Sequence, residues 1–477
     1  MSAPARLSYH IITVISAAGL IVLFWFVFNP FKSTTELEQL RYVGASAGRM
    51  MERHLSFYEG YDENTSLAER ALHEFLFGTR AHVQSEVLKA YEEVLTHLEQ
   101  HPETATTWAI LNTRARWLIT IAELGDRQTL TNALQTFNNN PEEEVIAEAV
   151  KFAYFENYEG FNPEIYTGAS LVPNGWAKDR LQLSIYTRLD KPYFIKLFDD
   201  RLKRNGQRLR QHVLQMALAI SLVIIVGLYM MIRYRVFHIP SPWTSNIMNT
   251  PWNFYEGFSV AVRAAFFGLL IWVGLHLLST QFFRPNFFTT WSTLFASIPM
   301  LWLIQRNLLA PRGMNLISAF GLSLNRNSIL PFLTITGSLL ALELIGLILI
   351  GWGTWKLGLG GHWSAGIQER LVFGPTEVVL LSLINIIIWT PVFEEIGFRG
   401  LFYTTLRSRL TPTIAIVASA GFFSALHLKS LNSFLSIFWT GLILAYAYER
   451  YRSLLPGIVI HGVGNLLYLS TILLFYR

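Results

Sequence analysis

The chain has 477 residues, of which 52% are hydrophobic and only 15% charged, with a formal charge of +5. A soluble globular domain usually carries about 25% charged residues, so the composition identifies a polytopic membrane protein. It contains no cysteine, which excludes disulfides, thiolate nucleophiles and cysteine metal sites, and its basic balance fits Lys and Arg gathering in cytoplasmic loops rather than nucleic-acid binding.

Residues 1–29 contain the first apolar run, "LSYHIITVISAAGLIVLFWFVFN". It is longer than the core of a cleaved signal peptide and lacks a small-x-small exit, so it reads as an uncleaved anchor helix. Residues 30–212 are polar and charged, with helical periodicity in "TTWAILNTRARWLITIAEL" and "EEEVIAEAVKFAYF". Turn signals interrupt them at "YEGYDENTS", "QHPETAT" and "FNNNPEE". This is a soluble, mostly helical extramembrane domain inserted between two spans. Residues 213–254 supply a second transmembrane helix and a linker, and residues 255–477 form the membrane core.

The expected fold is all-α: a polytopic membrane bundle of about nine transmembrane helices with the soluble helical domain inserted. The spans are the anchor, then approximately 213–233, 257–282, 286–305, 329–353, 376–406, 411–428, 432–448 and 455–475. The span at 376–406 would run roughly 45 Å as a straight helix. Pro391 lies inside it, and a kink or break is expected there.

Short-loop charge sets the orientation. With the amino terminus inside, the inner face holds twelve arginines (6, 233, 235, 263, 306, 312, 326, 399, 407, 409, 450 and 452). The outer loops and tail hold Arg284, Lys356, Arg370, Lys429 and Arg477. That imbalance puts the soluble domain on the extracytoplasmic side, and the composition reads as prokaryotic, hence a cytoplasmic membrane. The basic run "RLKRNGQRLRQH" then lies just outside, where long domains translocate regardless of charge.

From residue 238 onward there are seven glutamates and no aspartate, and two of the seven, Glu394 and Glu395, are adjacent. Ionisable groups at membrane depth are functional by default. On a helix Glu395 and Arg399 are four apart and share a face, so they can form an ion pair. Glu394 is turned about 100° away and can act as a general base. "GFFSALHLKS" puts Phe423 and His427 on one face of the next helix, and "GIVIHGVGNLLYL" does the same for His461 and Asn465. A carboxylate and an imidazole can deprotonate a water, while a second imidazole and an amide stabilise an oxyanion. Counting about 12, 16 and six residues from the helix ends, the depths of Glu394, His427 and His461 differ by roughly 15 Å. Convergence therefore needs staggered helices or different boundaries near Pro412 and Pro456.

In order, "EEIGFR" fits EExxxR, "FSALH" fits FxxxH and "HGVGN" fits HxxxN. Across roughly residues 255–475 the chain resembles the CPBP family of intramembrane proteases. That family includes CAAX-processing prenyl-protein endopeptidases and bacterial bacteriocin-processing or self-immunity relatives. The resemblance implies an intramembrane endopeptidase acting on a membrane-associated protein or peptide within the lipid bilayer. It implies that Glu394 activates water with His427 as its partner, that His461 and Asn465 stabilise the oxyanion, and that Glu395 and Arg399 form the supporting ion pair. No cofactor is expected; Glu394, His427 and His461 would be an acceptable zinc set, and older descriptions of the family as metalloproteases leave that alternative open. A CAAX substrate requires prenylated targets, which nothing in the sequence identifies.

The resemblance says nothing about residues 30–212, which are expected to recruit or gate substrate or to bind a protein partner. Two other readings compete: a catalytically silent scaffold or immunity factor on the same fold, and a proton-coupled transporter using intramembrane Glu and His. Singly, His427 could be a packing residue, and His461 with Asn465 could be interhelical hydrogen-bond glue. Glu343, in "LALELIGL", stands apart from the motifs. It reads as a buried hydrogen-bonded glutamate or as a group serving substrate polarity or proton traffic.

Overall fold

The computed structural model describes residues 3–28, 43–61, 78–100, 106–137, 140–158, 160–236, 250–282, 285–324, 329–359, 371–372, 374–427 and 430–477, with isolated positions between 65 and 74. Arg284, Arg326, Arg370 and Lys429 of the charge count lie outside them. The described residues form helices and no strand. The chain divides into two compact units, Met1–Ser33 with Ala217–Ser470, and Thr34–Met216 with Thr471–Arg477.

The second unit contains α2 (Val43–Tyr58), α3 (Arg80–Gln100), α4 (Thr107–Leu124), α5 (Arg127–Gln135), α6 (Pro141–Tyr154), α7 (Glu164–Leu171) and α8 (Trp176–Arg188), followed by the first half of the long α9 (Pro192–Arg233). Local chemistry punctuates these helices. The Thr106 hydroxyl accepts from the Ala109 N–H at 3.1 Å to start α4, and Gly125, at φ +76°, ends it. The Asn140 side chain accepts from the Glu143 N–H at 2.8 Å ahead of Pro141, opening α6. Along α4, Leu111, Ala115, Leu118, Ile119 and Ala122 are buried, the helical stripe expected of a helix packed on one side. Tyr91 and Val94 of α3 and Ile146 and Val150 of α6 are buried as well, and α4 packs against both of those helices.

Within this core Arg116 pairs with Glu52 at 3.0 Å, and the same Glu52 oxygen accepts from the Ala177 N–H at the start of α8 at 3.1 Å. A side chain on Gly175 would stand 1.9 Å from Glu52, so glycine is required for that approach. The chain's last residues also belong to this unit: the Tyr476 hydroxyl lies 3.0 Å from His54 Nε2.

The first unit contains α1 (Ala3–Phe28), the second half of α9, α10 (Phe254–Phe282), α11 (Pro285–Leu303), α12 (Leu316–Ala319), α13 (Ile329–Lys356), α14 (Thr376–Arg407), α15 (Pro412–Ala425), α16 (Leu431–Tyr451) and most of α17 (Leu455–Tyr476). Each of the nine expected spans falls on a helix. Six described helices are long and apolar enough to cross a membrane: α9, α10, α13, α14, α16 and α17. The expected count of nine is not reached among the described residues; α15, with 14 residues, is too short by that measure. On α9, Leu218, Leu222, Ile225, Tyr229 and Ile232 are all exposed at helical spacing, a face suited to lipid.

The helix is continuous through Pro391, where a kink or break was expected. Instead α14 widens into π-helix at Asn385–Trp389 and again at Glu395–Tyr403, with α-helical Thr390–Glu394 between. Proline removes one backbone donor and crowds the preceding turn, and a π turn relieves the crowding without breaking the helix.

Two apolar clusters brace this unit. One joins Trp252, Val260, Leu308, Phe320, Ile396, Tyr403 and Leu454, and the other joins Leu339, Leu344, Ile443, Leu444 and Ile460. At the far end of α14, Tyr403 and Arg407 both bind Glu449 of α16.

Candidate active site

Three helices bring the motif residues together. Arg399 donates to Glu395 Oε1 at 2.8 Å, and neither side chain has any exposed surface. A second guanidinium nitrogen donates to the Gly441 carbonyl at 3.3 Å, and the guanidinium also lies 4.6 Å over the Phe423 ring. A charge this deeply buried is tolerated when paired and hydrogen-bonded. The adjacent Glu394 keeps 23% of its side-chain surface, so of the two carboxylates it is the one that water can reach.

Glu394 stands between two imidazoles. Its Oε1 is 3.8 Å from His427 Nε2, and its Oε2 is 3.8 Å from His461 Nε2. Those separations are beyond a direct hydrogen bond. A water held at about 2.8 Å from a Glu394 oxygen could also reach the neighbouring ring nitrogen at a similar distance.

His427 follows the last turn of α15, where helix carbonyls lack intrahelical donors. Its Nδ1 lies 2.8 Å from the Phe423 carbonyl. A carbonyl only accepts, so Nδ1 carries the proton and Nε2 faces Glu394 with its lone pair when the ring is neutral. His461 has a carboxylate at each nitrogen, with Nδ1 3.3 Å from Glu395 Oε1. Phe423 is a packing hub, its ring centroid 4.9 Å from that of His427 and 6.3 Å from that of His461.

Asn465 is tied to the helix that carries Glu394. Its amide donates to the Ile386 carbonyl at 2.9 Å. In the π stretch the Thr390 N–H bonds to the Asn385 carbonyl, so the next donor in that pattern, for Ile386, would come from residue 391, a proline without an N–H. Asn465 thus satisfies the acceptor that Pro391 leaves open, and its second amide hydrogen remains. Close approach here also needs Gly462, where a side-chain carbon would fall 2.7 Å from the Ile387 carbonyl.

The two helix ends are built differently from simple surface starts. α17 does not start at a surface: the Leu454 N–H just before it bonds to the Phe320 carbonyl at 3.0 Å, and Leu454 is fully buried. His461 therefore begins its short count from inside the protein, while His427 lies past the end of a short α15.

Sequence reasoning missed the roles of the Ile386 carbonyl, the Phe423 ring and the Tyr403–Arg407–Glu449 cluster. Only Pro391 inside an apolar run signalled the first of these. As for zinc, no group of three or more His, Asp or Glu side chains among the described residues is arranged to hold a metal ion.

With this geometry established, residues 376–467 match the family model described as type II CAAX prenyl endopeptidase Rce1-like. The matched segment contains all three motifs, and the family is the one they resemble. That segment is therefore similar to a CAAX-type intramembrane peptidase family, and with six described helices long and apolar enough to cross a membrane the protein is an integral membrane protein. No curated protein and no solved structure matches the chain.

Proposed function

We propose that the protein is an intramembrane endopeptidase that hydrolyses a peptide bond of a membrane-associated protein substrate with a water activated by Glu394. The observation that carries this reading is the partly exposed Glu394 carboxylate with an imidazole Nε2 3.8 Å from each oxygen. In the first step Glu394 takes a proton from the water as it attacks the scissile carbonyl, and His427 orients that water. The charge on the carbonyl oxygen is met by His461 and by the free amide hydrogen of Asn465, a kind of contact typically worth a few kcal/mol. The proton then passes to the leaving amine, and the peptide C–N bond breaks. Glu395 and Arg399 hold the helix and take no proton.

In this reading the soluble domain of residues 30–212 recruits or gates the substrate, or binds a protein partner, on the extracytoplasmic side of a prokaryotic cytoplasmic membrane. The arginine imbalance of the short loops supports that sidedness.

The test compares protein N-termini across the proteome in host cells carrying wild-type or Glu394→Gln protein at matched levels. New termini that appear only with wild type are expected, and they name the substrate. Identical termini in both strains, with the wild-type phenotype intact in the variant, would overturn the reading in favour of a silent scaffold.

A further inference from the structure

The basic run "RLKRNGQRLRQH" lies on α9 ahead of its apolar stretch, and the structure sorts its charges. Arg201 pairs with Asp179 at 3.0 Å, and Lys203 pairs with Asp199 at 2.7 Å. Arg210 reaches the Gly60 carbonyl and the Thr65 hydroxyl, both at 3.4 Å. Arg204 and Arg208 are exposed. Among the described residues neither enters an ion pair, a hydrogen bond or a ring contact, not even with Asp200 one turn from Arg204. The opposite face of α9 is fixed: Phe198, Leu202 and Leu209 are buried, and a side-chain carbon on Gly206 would fall 2.2 Å from the Gly60 backbone nitrogen. Two guanidiniums four residues apart share one helix face and repel each other, so the pair is an unmet charge held outward.

The same stripe continues at spacings of three and four through Gln211, Gln215, Leu218, Leu222, Ile225 and Tyr229, all exposed. One side of a single helix thus passes from cations through amides to aliphatic side chains. The apolar stretch 213–233 closes with Arg233 and measures about 30 Å, the thickness of a bilayer's hydrocarbon core. Arg208 stands five residues before it, about 7.5 Å, which is headgroup depth. Arg204 stands one turn farther out.

We propose that Arg204 and Arg208 form a docking site for the phosphate of an anionic phospholipid whose acyl chains run down the apolar side of the same helix. This site stands apart from the peptidase reading. Charge selects the occupant: a guanidinium donates two parallel hydrogen bonds to a phosphate, and a lipid with net negative charge also offsets the repulsion between the two arginines. A zwitterionic lipid brings a cation of its own. An acidic protein segment would meet the arginines but not the aliphatic continuation of the stripe.

The chain has no cysteine, so Gln211→Cys gives a single labelling position on this stripe. The full-length protein, with a donor fluorophore there, is placed in phosphatidylcholine nanodiscs containing a trace of phosphatidylglycerol or of phosphatidylcholine, each with the same acceptor on an acyl chain. Energy transfer is expected to show at least about fivefold enrichment of the phosphatidylglycerol beside the label, the factor that one cation near the surface gives an anionic lipid. Arg204→Gln with Arg208→Gln should bring it below about twofold, while lysine at both positions keeps most of it. Lys203→Gln, which removes a cation already paired, should change it by less than about twofold. Excess inorganic phosphate should leave the enrichment in place. Matched unfolding temperatures check that the variants, all at exposed positions, are folded. The proposal is overturned if the two acceptor lipids give equal transfer, if the glutamine pair keeps the enrichment, or if Lys203→Gln loses as much as that pair. It is also overturned if inorganic phosphate abolishes the enrichment, which would make the arginines a site for a soluble anion.

Discussion

Each unit buries a glutamate against an arginine, and the two pairs are put to different uses. Glu52 and Arg116 sit in the second unit, where the Glu52 carboxylate also caps α8 through the Ala177 N–H. That pair joins helices and touches nothing reactive. Glu395 and Arg399 are buried as completely, but Glu395 reaches on to His461 Nδ1, and its second oxygen has no hydrogen-bond partner. One pair closes a core, and the other leaves acceptor capacity beside a histidine. Burial alone therefore does not distinguish a structural ion pair from a supporting one; what each spare oxygen faces does.

The largest effect expected is on catalysis. Glu394→Gln should lower kcat by about 10²–10⁴-fold, the usual range for a lost general base, with the unfolding temperature unchanged, as read by peptide cleavage and thermal melts side by side. Next come the pairs. Arg399→Met and Arg116→Met should each destabilise their unit by about 3–5 kcal/mol, because each strands a buried carboxylate. Replacing both partners by apolar residues should restore most of that stability in either unit. Activity should survive the Glu52/Arg116 double replacement and vanish with the Glu395/Arg399 one; equal activity in both would erase the distinction drawn here.

A smaller effect is expected at Asn465. Asn465→Leu strands the Ile386 carbonyl and should cost about 1–3 kcal/mol. Adding Pro391→Ala, which returns a backbone N–H, should recover part of it, and a double-mutant cycle measures the coupling. The smallest is a control in the second unit: Asn140→Ala removes the α6 cap and should cost about 1 kcal/mol with no change in cleavage rate.

The all-helical membrane class was legible because composition and long apolar runs report it directly. So were the faces of the motifs: Glu395 with Arg399 and Phe423 with His427 are four residues apart, and such proximity is fixed locally by the helix. Depth was not legible. It depends on where α17 begins, and that is set by Leu454 bonding to Phe320, more than a hundred residues away in the chain. The second role of Asn465 was hidden for the same reason. Pro391 announces an unmet carbonyl, but not which helix supplies the donor. Nine crossings were expected and six described helices are long and apolar enough to cross; apolar runs such as 411–428 carry no signal of how short the helix within them is.

The π segment from Glu395 to Tyr403 has a consequence for how this helix can change. It lies between two anchored clusters, Glu394 with its imidazoles on one side and Tyr403 and Arg407 on Glu449 on the other. Removing one residue between them would turn one cluster relative to the other, and both could not be satisfied. The eight residues between Glu394 and Tyr403 are thus a phase setting: α14 can exchange side chains along its outer face, but its length between the clusters is locked. Insertions and deletions, rather than substitutions, are the changes this stretch should refuse.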